Sequence, residues 1–212
     1  MSAGLPLPLP LRLTATPTLP AEEAARADLY ALLSRLFYSG PDAALMRSIA
    51  HSGNAYGGPS SALGRAWSQV VQAAATVSAE AACVEYDQTY VGLGQARVSI
   101  YASHYLSENW KEHTLVNLRD ELDDLGLSRK RGVSEPEDHL SGLLDVMNNL
   151  LRRGTTEPQV AVQHGFFSSY IAPWYTQFCD ATVACDGLDF YRPATGLLRA
   201  FMLFEAEFFS LE

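Results

Sequence analysis

A chain of 212 residues with 48% hydrophobic and 10% aromatic side chains has enough apolar surface for one large folded domain, which excludes disorder of the whole chain. Fifteen Lys+Arg against 24 Asp+Glu give a formal net charge of −9, so nucleic acid and anionic lipid are repelled unless a basic patch intervenes, and cationic partners are favoured. Three cysteines, Cys83, Cys179 and Cys185, cannot all pair within one chain and form no Cys-x-x-Cys, as expected of a reducing cytoplasm.

The opening MSAGLPLPLPLRLTATPTLP is apolar, yet Pro6, Pro8 and Pro10 break every helical turn and no basic residue precedes the apolar stretch. A secretory signal needs a basic start and an uninterrupted apolar run, so residues 1–20 are expected to form a mobile, polyproline-II-like arm. From Ala21 the pattern turns helical. Leu29, Leu32, Leu33, Leu36 and Phe37 mark one face of a helix over 21–38, stopped by Ser39-Gly40-Pro41. A short helix over 42–51 and the Gly-rich turn 53–59 follow, then a helix capped by Ser60 with Leu63, Trp67, Val70, Val71 and Ala74 on one side. A fourth helix is expected over 79–90, and 92–103 reads as loop. Leu115, Leu118, Leu122 and Leu125 stripe a helix over 108–125 closed by Gly126. The polar loop 128–133 leads into a helix opening at Ser134, in which Leu140, Leu143, Leu144, Met147 and Leu151 repeat until Arg152 and Arg153 complement its C-terminal dipole. Helices over 157–172, 174–184 and 191–209 complete the chain, the first bounded by Pro173. No strand alternation, internal repeat or membrane-spanning run is present. The expected architecture is all-α, a single globular multi-helix domain over 21–212.

Catalytic signatures are missing from the sequence. There is no His-Glu-x-x-His, no Glu-x-x-His pair and no Gly-x-Ser-x-Gly. Gly92-Leu93-Gly94 begins like a dinucleotide fingerprint, but Arg97 stands where the third glycine belongs. Lys111 and Lys130 are the only lysines, and neither lies in a phosphate-cradling loop. No cofactor and no metal is implied. The triplet Arg129-Lys130-Arg131 reads as solvated loop charge, with phosphate binding as the alternative. Trp67, Trp110, Trp174, Phe166, Phe167 and Phe201 sit at helical spacing and are expected in the core, whereas Tyr86 and Tyr90 suit either core or groove wall.

One constellation stands out, Ser134-Glu135-Pro136-Glu137-Asp138-His139. Ser134 and Glu137 form an S-x-x-E capping box, with proline tolerated in the first turn and three carboxylates at the positive helix end. At i, i+3 and i+4, Glu135, Asp138 and His139 would share one face continuous with Leu143. Two carboxylates beside the imidazole are expected to raise its pKa and to favour a ligand that is basic at one end and apolar at the other. The residues alone leave cap and binding site both open.

Glu135-Pro136-x-Asp138-His139 resembles the E-P-x-D-H signature of the TorD/DmsD/NarJ family of redox-enzyme maturation chaperones. The stretch Glu85 to Gly92 is similar to that family's aromatic-x-x-Leu-Phe-x-Gly block, with Thr89-Tyr90 making it more polar. Gly126, Pro173-Trp174 with Phe178, Phe190-Tyr191-Arg192 and the opening Tyr30, Leu33 and Phe37 run also match, in order. The resemblance implies a cytoplasmic chaperone, without catalysis or cofactor of its own, for a molybdoenzyme precursor. Its twin-arginine signal peptide would be the ligand, met by Tyr86, Thr89, Tyr90, Gly126, Glu135, Pro136, Asp138 and His139. Glu135, Asp138 and possible help from Glu137 would engage the guanidinium groups, and His139 protonation below about pH 6.5 would weaken that contact. A helical enzyme using Glu135, Asp138 and His139, or a scaffold binding an ordinary amphipathic helix, are the rival readings.

Overall fold

The computed structural model describes residues 19–92, 95–106, 108–128 and 135–211. Within them lie ten α-helices and no strand: α1 Ala21–Tyr38, α2 Ala43–Ala50, α3 Ala62–Thr76, α4 Ala79–Tyr86, α5 Ala102–Tyr105, α6 Glu108–Asp124, α7 Leu140–Arg153, α8 Glu157–Tyr170, α9 Tyr175–Val183 and α10 Tyr191–Ser210. No helix of the described residues is long and apolar enough to cross a membrane. The all-α expectation holds, and the helical periodicity read from the sequence places nine of these elements. The tenth, α5, lies inside the stretch expected as loop. The arm before Leu19, the triplet Arg129-Lys130-Arg131, Leu93-Gly94 and Ser134 lie outside the described residues, as does the Trp110 side chain.

Several boundaries differ from the expectation for local reasons. Helix α3 is capped by Ser61, not Ser60, because the Ser61 hydroxyl accepts from the Gly64 amide at 2.8 Å while Ser60 closes a 3-10 turn. Helix α4 ends at Tyr86 and continues as a π-turn over Asp87–Val91. Helix α8 ends at Tyr170, two residues before the expected stop. The largest change is at α7, which starts at Leu140 with His139 as its N-cap and not at Ser134. After a turn over 136–139, His139 is instead held extended by an isolated antiparallel bridge to Tyr101. Its flanking bonds run from the Ala102 amide to the Asp138 carbonyl and from the Leu140 amide to the Ile100 carbonyl, both at 3.0 Å.

Helix α1 packs along α7, and α10 packs across α3 and α9. At the centre, Phe37 meets Phe178 at a ring-centroid distance of 5.6 Å and Tyr90 and Tyr191 at 6.0 Å, so α1, the π-turn, α9 and α10 converge on one aromatic cluster. Trp67, Trp174, Phe166, Phe167 and Phe201 are buried as expected. Cys83, Cys179 and Cys185 are all unpaired thiols.

Two buried carboxylates fix α10 at its ends. The first, on Glu85, accepts from the backbone amides of Asp189, Phe190 and Tyr191, the closest three contacts at 3.0 Å. It thus satisfies the orphan donors at the α10 N-terminus from a distant helix. The second, on Glu205, is fully buried and takes both Arg26 Nε and Nη2 at 2.8 Å and the Tyr30 hydroxyl at 2.9 Å. The Arg26 guanidinium also lies 4.0 Å from the Phe208 ring centroid. Burial pushes the Tyr30 hydroxyl well above its ordinary pKa, so it stays a donor.

Glu85→Ala strands three donors in a largely dry site and is expected to cost about 3 kcal/mol in urea denaturation. Arg26→Met leaves Glu205 uncompensated and is expected to cost roughly 3–5 kcal/mol, whereas Arg26→Met combined with Glu205→Leu should recover most of that loss.

Candidate functional site

Residues 135–139 lead into α7 through a turn in which the His139 amide bonds the Pro136 carbonyl at 3.2 Å, and their side chains diverge. Asp138 is buried, and its carboxylate accepts from the Ser103 amide at 2.9 Å. It therefore caps α5 from afar. His139 is also buried, with Nδ1 accepting from the Ser141 amide at 3.2 Å. Glu135 accepts a hydrogen bond from the Tyr101 hydroxyl, whose pKa is pushed up to about 12 by burial first and by that carboxylate second. Glu137 accepts from Arg119 Nε at 3.2 Å and Nη2 at 3.1 Å. The expected single helical face of Glu135, Asp138 and His139 is thus replaced by a turn and a bridge, because the backbone of 100–103 pairs with Asp138 and Leu140.

The expected sign at His139 is also reversed. Burial lowers its pKa below the ordinary 6.5, and the nearby Glu135 and Asp138 charges offset that only in part. The imidazole is neutral at neutral pH. It stands edge-on between Tyr101, at 5.2 Å between centroids, and Tyr38, at 6.3 Å.

Glu135, Pro136, Glu137 and His139 line a cleft of about 560 Å³. Its opposite wall is the C-terminal half of α1, with Ala31, Ser34, Arg35 and Tyr38. Its floor is the start of α7, with Ser141, Gly142, Asp145, Val146 and Asn149, and its third side is Leu122, Leu127 and Ser128. Ser34 Oγ ties floor to wall by donating to the Ser141 carbonyl at 2.9 Å. Three carboxylates, on Glu135, Glu137 and Asp145, therefore border a partly apolar trough. Arg35 also lines it and is paired with Asp42 at 2.5 Å. The α1 and α7 contributors were missed in the sequence, although Gly142, Asp145, Val146 and Asn149 recur at i, i+3, i+4 and i+7 as a weakly polar stripe beside the apolar one.

Of the other residues expected to meet a ligand, three are buried in the core and one lies at a turn. Tyr86 is buried, its hydroxyl donating to the carbonyls of Tyr38 at 2.7 Å and Phe37 at 3.2 Å. Tyr90 is buried beside Phe178, its hydroxyl 3.4 Å from Thr182 Oγ1. Thr89 is fully buried on the π-turn, with its hydroxyl finding no hydrogen-bond partner among the described residues. None of the three lines the cleft. Gly126 adopts φ +64, and the Leu127 amide behind it bonds the Leu122 carbonyl at 2.8 Å, so this glycine closes α6 and turns Leu127 into the cleft. Arg153 Nη1 holds that tip by donating to the Leu125 carbonyl at 2.7 Å. Among the described residues, no group of three or more His, Cys, Asp or Glu side chains is placed to hold a metal ion.

The family described as nitrate reductase delta subunit matches residues 58–180, more than half of the chain. The chain therefore belongs to that family. It is similar to proteins named chaperone protein TorD. With the one from Aliivibrio salmonicida it is 26% identical over 137 residues, covering 60% of this chain and 64% of the relative. With that of Actinobacillus pleuropneumoniae serotype 3 it is 29% identical over 119 residues, covering 56% of this chain and 58% of the relative. The chain thus spans less than two thirds of the length of the curated relatives it matches.

Tyr86→Phe removes two hydroxyl contacts and is expected to cost about 1 kcal/mol of stability while leaving ligand affinity unchanged. The His139 pKa, followed by NMR, is expected to lie below 6.5. The unfolded chain then binds this proton at higher pH than the native one. The stability this group contributes is present above about pH 6.5 and is lost as pH falls through the lower native value.

Proposed function

We propose, from the chain's membership of the nitrate reductase delta subunit family, that it is a cytoplasmic molecular chaperone for a molybdoenzyme precursor. In this reading it binds the twin-arginine signal peptide during cofactor insertion and has no catalysis of its own. The names of its relatives support the chaperone class. The observation that carries the ligand is the cleft between α1 and α7, where Glu135, Glu137 and Asp145 border Leu122, Leu127, Val146 and Pro136.

A twin-arginine signal presents guanidinium groups next to an apolar segment, the complement of that lining. Guanidinium groups bond carboxylates in pairs, with charge-assisted bonds that lysine cannot reproduce in the same geometry. Glu137 already makes such a contact with Arg119, so a ligand arginine enters by exchange with a partner of the same chemistry. The neutral imidazole of His139 leaves the negative field of Glu135 undiminished. In this reading Asp138, bonded to the Ser103 amide, anchors the turn and leaves the arginine contacts to its neighbours.

Titration calorimetry with a synthetic peptide of two adjacent arginines and an apolar segment tests this reading. Replacing both arginines by lysine, or combining Glu137→Gln with Asp145→Asn, is expected to weaken binding roughly tenfold or more, with helicity by circular dichroism unchanged. Equal affinity for the arginine and lysine peptides would sink the assignment and favour a scaffold for ordinary amphipathic helices.

A further inference from the structure

The chain carries a second candidate for the cleft in its own sequence. Upstream of α1, residues 1–20 hold a single charged side chain, Arg12, set among Leu5, Leu7, Leu9, Leu11 and Leu13. This is the chemistry that the cleft lining complements, basic at one point and apolar around it.

The reach is also right. The cleft wall on α1 begins at Ala31 and ends at Tyr38. At about 1.5 Å per helical residue, these lie about 15 Å and about 26 Å from Ala21. Eight residues, 13–20, separate Arg12 from α1. At about 3.1 Å per residue in extended, proline-type backbone they span about 25 Å. A segment turned back along α1 therefore delivers Arg12 to the carboxylates and no farther. Five prolines between positions 6 and 20 restrict the backbone in advance, which lowers the entropy lost on docking.

We propose that the arm is an intramolecular occupant of the cleft, with Arg12 against Glu135, Glu137 and Asp145 and the neighbouring leucines on the apolar lining. The proposal rests on the reading of the cleft as a site for a basic, apolar peptide. One arginine makes the arm a weaker ligand than a peptide with two, while the tether raises its local concentration to the millimolar range. The arm thus acts as a displaceable competitor that sets a threshold of affinity for external peptides.

The test uses the full chain. A fluorescent twin-arginine peptide is titrated against the wild type, Arg12→Glu, and the triple variant Leu9→Asp, Leu11→Asp, Leu13→Asp. Both variants are expected to bind about tenfold more tightly, as for a tethered competitor at about 1 mM with an intrinsic Kd on the order of 0.1 mM. In parallel, a photo-crosslinker carried at position 11 of the monomeric protein is expected to mark 122–128 and 135–149, and to lose those crosslinks when excess peptide is added. Unchanged affinity in both variants, or crosslinks confined to other surfaces, overturns the proposal. If the labelled peptide binds no version, the signal-peptide reading fails. The crosslinks then decide the arm by themselves, cleft marks supporting it and their absence overturning it.

Discussion

The contact on which the rest of the molecule depends is the Glu85 carboxylate seated on the first amides of α10. It joins two parts of the chain that are 104 to 106 residues apart, and it does so at the dipole end where a negative charge is most favoured. With α10 started there, Tyr191 falls into the aromatic cluster, and its hydroxyl reaches the Leu36 carbonyl at 2.8 Å. Fourteen residues later the same helix presents Glu205 to Arg26 and Tyr30. Helix α1 is therefore clamped to α10 near both of its ends, and α1 is one wall of the cleft. The α1 wall of the cleft is thus braced from behind by α10, whose start the Glu85 carboxylate fixes.

Much of this was legible in the sequence, because apolar spacing reports which face of a helix is buried whatever it is buried against. Nine of the ten helices follow from that signal, and the stop at Gly126 from the left-handed turn that only glycine adopts at low cost. The site was legible only in part. Glu135, Pro136 and His139 do line the cleft, but the helical face drawn through Glu135, Asp138 and His139 does not exist. Local rules favoured a helix start at Ser134, and the competing partners, the amides of Ala102 and Ser103, lie some 35 residues away in sequence. The sign of the His139 shift was lost for the same reason. Neighbouring charges can be counted in a sequence, whereas the burial that outweighs them cannot.

The blocks that resemble the chaperone family divide by role. Glu85, Tyr86, Tyr90, Trp174, Phe178 and Tyr191 hold one another in the core. They explain why the fold is recognisable, and they carry little information about a ligand. The cleft draws instead on Glu135, Pro136 and His139 of the E-P-x-D-H block and on α7 side chains outside the blocks, such as Asp145 and Asn149. Under the proposed function, preference for one client over another resides in those positions, where a change does not disturb the aromatic cluster.

The three sides of the cleft differ in stiffness. The α1 and α7 sides are backed by close-packed core, whereas α6 reaches the core through Leu118, Leu122 and Leu125 and is tied on its outer side by Arg153 on the Leu125 carbonyl and by Arg119 on Glu137. Both contacts are solvent-facing, so dissolved ions screen the charge pair strongly. The trough therefore has two faces set by packing and a third partly set by charge, and rising ionic strength is expected to loosen it on its Leu122 and Leu127 side first.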